Sequence, residues 1–159
     1  MPVSCRNDGT RAIIIYDMVQ RIVVDTSVWV AALRSERGAS REVIRLCLLR
    51  ECQPLMGQAL LAEYEDVLAR SELFVKSPLS EKERSELLDA LLSVSEWISI
   101  YFLWRPNLPD EDDNHLIELA ISAAASRLIT HNRRDFERGE LRFESIEIMT
   151  PAEFLNERS

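Results

Sequence analysis

The stretch from Arg21 to Val30, RIVVDTSVWV, constrains this chain more than any other. Ile22, Val23 and Val24 form a short apolar run of the kind that makes a strand buried on both faces, and the run stops at Asp25, Thr26 and Ser27. Such a strand carries a carboxylate to its own C-terminal end. In open parallel α/β sheets ligands bind outside that edge, so Asp25 is the first candidate functional residue. The competing reading is that Asp25 only caps the helix beginning near Val28, because Asp, Ser and Thr are preferred caps. Taken alone, the segment leaves both readings open.

The rest of the chain alternates strand and helix signals. Val28 to Leu33 continues as a helix that SERGAS interrupts at Gly38, and Ser40 stands as the cap of a second helix through Arg50. Val43, Ile44, Cys47 and Leu48 fall on one apolar stripe of that helix. Gln53 to Gly57 is short enough to be a second strand or a link to one. Gln58 to Arg70 reads as a helix with a buried face of Leu60, Leu61, Tyr64, Val67 and Leu68. Glu63 borders that face and can tilt inward, although a solvated helix glutamate is the simpler expectation for this segment alone. Ser80 and Glu83 have capping-box spacing for a helix through Leu92, and Trp97 to Leu103 reads as a third strand.

Arg105 to Asn114 holds two prolines and four acids and reads as a loop, with the helix LIELAISAAA directly after it. Arg127 to Thr130 is a short buried strand ending in a hydroxyl, followed by a polar loop from His131 to Gly139. Ser145 to Met149 gives a last strand, and Thr150, Pro151 and Glu153 match the cap, first and third positions of a terminal helix. The alternation indicates an α/β fold of three α/β/α layers around a mostly parallel sheet.

With 159 residues the chain is expected to form one domain, over residues 21–159. Residues 1–20 fit less well. AIIIY at 12–16 could add a strand, but Met18 before VQRIVVD is a more natural opening, so the first 17 residues are read as an upstream, misassigned start or as a genuine extension. Peptide mapping of the native N-terminus separates the two, and finding Met1 excludes the first. No window approaches the roughly 18 apolar residues of a membrane span, and the N-terminus lacks the apolar core of a signal peptide, so a cytoplasmic protein without a membrane partner is expected. Cys5, Cys47 and Cys52 cannot all pair and have no zinc-type spacing; Cys47 is read as helix core and the other two as incidental. A net charge of −8 argues against a broad positive surface for nucleic acid. It leaves open an enzyme that meets a phosphate backbone through metal ions.

Acids stand at three places where such a sheet puts its ligand edge: Asp25, the run Asp110 to Asp113 at a helix start, and Asp135 beyond RLIT. Glu63 can join them from a helix leaning over that edge. Carboxylates gathered closely resist ionisation unless a cation offsets them, and the natural occupant is a hard divalent ion such as Mg2+ or Mn2+. Two such ions can activate the attacking water and stabilise the leaving oxygen in phosphodiester hydrolysis, with no histidine or serine nucleophile. His115 and His131 are accordingly read as bystanders. The DEDD run has its own simpler explanation as favourable charge at a helix N-terminus.

DTSV at Asp25, LLAEYEDVL around Glu63, DEDDNHLIELA around Asp113 and LITHNRRDF around Asp135 resemble, in order and spacing, the acidic motifs of PIN domains. They are most similar to those of bacterial toxin-like PIN proteins of the VapC type, over about Arg21 to Leu155 and including the closing MTPAEFL. The resemblance implies a divalent-metal-dependent endoribonuclease, with Asp25, Glu63 and Asp113 as the first three acids of the site and Ser27 as the polar residue beside the first. Many members carry the fourth Asp two residues after the Thr that ends the fourth strand. Here that Thr is Thr130 and the position is Asn132, and the available acid is Asp135. The resemblance also implies an RNA substrate, a cognate antitoxin protein as partner, and a homodimer.

Arg133 and Arg134, with Arg34, Arg37 and Arg41, are candidates for phosphate contacts, against the simpler account of solvated charge. Haloacid-dehalogenase-type phosphatases would need a second Asp where Ser27 stands, and receiver domains an acid pair before the first helix; neither pattern is present. The remaining alternative is a non-catalytic PIN-like binding scaffold in which Asn132 marks a degraded metal site.

Overall fold

The computed structural model describes residues 19–99, 114–125, 127–137 and 146–158. The segment 12–16 and the acids Asp110 to Asp113 lie outside them. Five parallel strands form the centre: β1 (Arg21–Val24), β2 (Gln53–Met56), β3 (Glu96–Trp97), β4 (Arg127–Ile129) and β5 (Glu147–Met149). They lie in the order β3-β2-β1-β4-β5. The order runs outward from β1 in both directions, so the sheet reverses its winding between β1 and β4. In a doubly wound sheet that reversal opens a crevice at the carboxyl ends of the strands.

Register fixes what faces the crevice. Val24 pairs with Ile129 and Ile129 with Met149, so the residues that follow, Asp25, Thr130 and Thr150, leave the sheet side by side. Asp25 N donates to Ile129 O at 2.9 Å and Thr130 N to Met149 O at 2.9 Å, carrying the ladder one step past the strands.

The helices are α1 (Thr26–Arg34), α2 (Ala39–Leu48), α3 (Gln58–Leu68), α4 (Glu81–Val94), α5 (Asn114–Ser122), α6 (Arg133–Glu137) and α7 (Pro151–Arg158). Ile22, Val23, Trp29, Leu33, Leu116 and Phe154 are fully buried, as the apolar run and the helical stripes predict. Trp29 of α1 stacks on Tyr64 of α3, with ring centroids 5.1 Å apart. The Tyr64 hydroxyl donates to Val24 O at 2.7 Å, which ties α3 to the end of β1. Both expected capping boxes are present, Ser80 with Glu83 and Thr150 with Glu153. Among the described residues no helix is long and apolar enough to cross a membrane.

Several expectations need correction. The polar stretch after β4 is not all loop: residues 133–137 form α6, because Phe136 is buried and anchors one turn of helix. Ser40 is not the cap of α2. Gly38 takes that place with a φ of +118°, which favours glycine, and Ser40 lies buried in the first turn. β3 comprises Glu96 and Trp97, paired to Leu55 and Met56, and Ile98 N still donates to Met56 O at 2.9 Å; residues 100–103 of the expected strand lie outside the described residues. Cys52 is not incidental, since at 1% exposure it belongs to the core with Cys47.

Candidate functional site at the carboxyl edge of the sheet

Asp25 occupies the N-cap position of α1, yet its side chain makes no capping hydrogen bond. The carboxylate turns instead across the sheet edge. Ser27 Oγ donates to Asp25 Oδ2 at 2.9 Å, and Thr130 Oγ1 donates to the same oxygen at 2.6 Å. Each hydroxyl in turn accepts a backbone amide: His131 N to Ser27 Oγ at 3.1 Å and Asn132 N to Thr130 Oγ1 at 3.0 Å. A hydroxyl can donate and accept at once, so two backbone amides reach one carboxylate oxygen through two side chains. Asp25 is 4% exposed and Thr130 fully buried. A buried carboxylate needs such donors, and among the described residues none reaches Oδ1. The cap reading of Asp25 therefore fails on geometry.

Glu63 reaches the same edge from α3. Thr26 Oγ1 donates to Glu63 Oε1 at 2.8 Å, and His115 Nε2 of α5 stands 3.0 Å from Oε2. Glu63 is thus no solvated helix glutamate, although its side chain keeps 36% exposure. Burial works upward on its pKa, but the His115 imidazole and the Thr26 hydroxyl outweigh it and hold the carboxyl below its ordinary value. His115, read from sequence as a bystander, is in contact with a candidate site residue. Thr26, which holds Glu63, and Tyr64, which ties α3 to the end of β1, are also supports of this edge that the sequence does not announce. The only signal for them was position: Thr26 follows Asp25 and Tyr64 follows Glu63.

Asp113 lies outside the described residues. Asp135 is placed by its backbone in α6, and its side chain lies outside the description. Among the described residues no group of three or more His, Cys, Asp or Glu is gathered closely enough to hold a metal ion. The described donors at the edge are carboxylate and hydroxyl oxygens, the set a hard cation takes.

Beside Asp25 the edge opens into a groove of about 340 Å³ lined by His131, Asn132, Arg133, Arg134, Thr150 and Glu153. The His131 ring is tied to Ser40, with Nε2 2.7 Å from Oγ. Arg133 forms an ion pair with Glu153, and Arg134 is exposed. Glu153 Oε1 also accepts from Thr150 N at 2.9 Å. That bond and the Arg133 guanidinium outweigh its burial and hold the Glu153 carboxyl below its usual value. The other arginines do not gather here: Arg41 Nε donates to Ala32 O at 2.9 Å as a staple between α1 and α2, and Arg34 and Arg37 are exposed.

A doubly wound α/β domain with a carboxylate anchored at its switch point is the class that the fold and the edge define. Residues 21–134 match the family model for the PIN domain, and the chain belongs to that family. Two solved structures share the fold at 15% identity each. The crystal structure of VapBC2 from Rickettsia felis bound to a DNA fragment from their promoter superposes with a TM-score of 0.55, covering 82% of this chain and 98% of that one. The crystal structure of PAE2754 from Pyrobaculum aerophilum gives 0.54, covering 88% and 90%. No curated protein matches the chain.

Proposed function

We propose that this chain is a divalent-metal-dependent endoribonuclease, the toxin component of a type II toxin–antitoxin system acting in the cytoplasm. The observation that carries this reading is the Asp25 carboxylate, buried at the switch-point edge and held by Ser27 and Thr130 instead of capping α1. Membership of the PIN family and the fold shared with the Rickettsia VapBC2 structure support it. On the same grounds the substrate is RNA, a cognate antitoxin is the protein partner, and the chain pairs as a homodimer.

Asp25, Glu63, Asp113 and Asp135 are the residues that would hold Mg2+ or Mn2+. When bound, such an ion supplies Lewis acidity toward phosphoryl oxygens and a lowered pKa for its water. The chain's own contribution is orientation. Ser27 and Thr130 hold Asp25 through Oδ2, which leaves Oδ1 without a donor among the described residues. Thr26 and His115 keep Glu63 charged and directed at the same edge. Asn132 adds a carbonyl oxygen but no charge.

A second reading, the non-catalytic scaffold, draws support from Glu63, both of whose carboxylate oxygens already have partners in the protein. An RNA cleavage assay in Mn2+ with Asp25→Asn and Asp113→Asn controls separates the two. The nuclease reading expects the wild type to cleave and each variant to lose more than about 100-fold. Equal cleavage by all three proteins, or none by any, overturns it. Mapping the product ends in the same assay defines the RNA target.

A further inference from the structure

The groove beside Asp25 carries an inference that rests on the ribonuclease reading and extends it. In a chain of net charge −8, its described lining holds two guanidiniums and one imidazole against a single carboxylate, Glu153. It starts where the Asp25 network ends: His131 and Asn132 give their amides to Ser27 and Thr130, and their side chains line the groove. Thr150, which follows β5, closes the far side.

The two arginines differ. Arg133 is engaged with Glu153, which is itself fixed to the start of α7 through Thr150 N. Arg134 has no hydrogen bond or ion pair among the described residues and is exposed. Once Arg133 and Glu153 offset each other, the charge that remains among the described lining residues is that of Arg134. A guanidinium presents a planar fork of donors that matches phosphate oxygens, and a protein of acidic surface meets nucleic acid where such local charge survives.

We propose that this groove seats the RNA backbone phosphate adjacent to the one cleaved, with Arg134 as its contact and Glu153 as a brake on its affinity. Arg134 sets substrate affinity and takes no part in bond breaking. Glu153 works in the opposite sense, by placing a negative charge in the groove.

The test is steady-state cleavage of a short single-stranded RNA in Mn2+ at several salt concentrations, with anisotropy of the same labelled RNA in EDTA. Arg134→Ala is expected to raise KM about 5–10-fold with kcat little changed, and to flatten the salt slope of binding by about 0.7, the contribution of one phosphate contact on a single strand. Arg134→Lys recovers part of the loss. Glu153→Gln, which keeps the capping box, is expected to lower KM and tighten binding about 2–5-fold. A purely structural Glu153 would give the opposite sign. An unchanged KM and salt slope for Arg134→Ala, or weaker binding by Glu153→Gln, overturns the proposal while wild-type cleavage that depends on Asp25 leaves the ribonuclease reading intact. If cleavage does not depend on Asp25, the ribonuclease reading fails. The anisotropy arm then judges the groove alone, and equal binding by wild type and Arg134→Ala overturns it.

Discussion

Asp25 and Glu63 stand at the same sheet edge and are held in opposite ways. Asp25 follows a strand, is 4% exposed, and its two donors are anchored to backbone amides of the neighbouring strand end. Glu63 sits on a helix with a side chain 36% exposed, and its partners are side chains on two other helices. The first carboxylate is fixed by the register of the sheet; the second is set by how three helices pack. The pair thus sets an acid held rigidly through backbone-anchored donors against one held by side chains alone.

The largest effect is expected on the rigid side. Thr130→Val removes one of the two relays while keeping the shape, and it leaves Asp25 Oδ2 and Asn132 N each short of a partner. It should cost about 1–3 kcal/mol in urea unfolding and lower cleavage about 10–100-fold. An effect below tenfold would mean that Asp25 is not held by this network. Thr26→Val makes the matching change at Glu63, and is expected to cost about 0.5–1 kcal/mol and less than about tenfold in cleavage. A loss equal to that of Thr130→Val would break the contrast.

The smallest effect is a pH dependence. The folded pKa of Glu63 lies below its ordinary value of 4.5, so its contribution is fully present above pH 4.5 and is lost as pH falls through the lowered folded value. In EDTA, Glu63→Gln should therefore be less stable than wild type near neutrality, and the gap should close below pH 4.5. A gap that persists undiminished at acid pH would assign the effect to packing.

Much of this was legible in the chain. The apolar run before Asp25, the Ser80 and Thr150 caps and the stripe through Leu60 and Tyr64 are local signals, read by spacings of one to four residues. The short helix at 133–137 was not legible, since one buried Phe136 makes it and its polar neighbours hide it. His115 was misjudged for a related reason: nothing within its own segment signals a contact with a residue 52 positions away.

RIVVDTS by itself determined that a buried strand would end in a carboxylate, because period and residue type fix a strand and its edge. It did not decide what that carboxylate does. The choice between helix cap and a carboxylate anchored across the sheet edge was made by β4, which lies beside β1 only in the folded sheet and brings Thr130 to Asp25 across 105 residues. Hydrogen bonds between side chains so far apart depend on strand order and register, and these are properties of the tertiary structure.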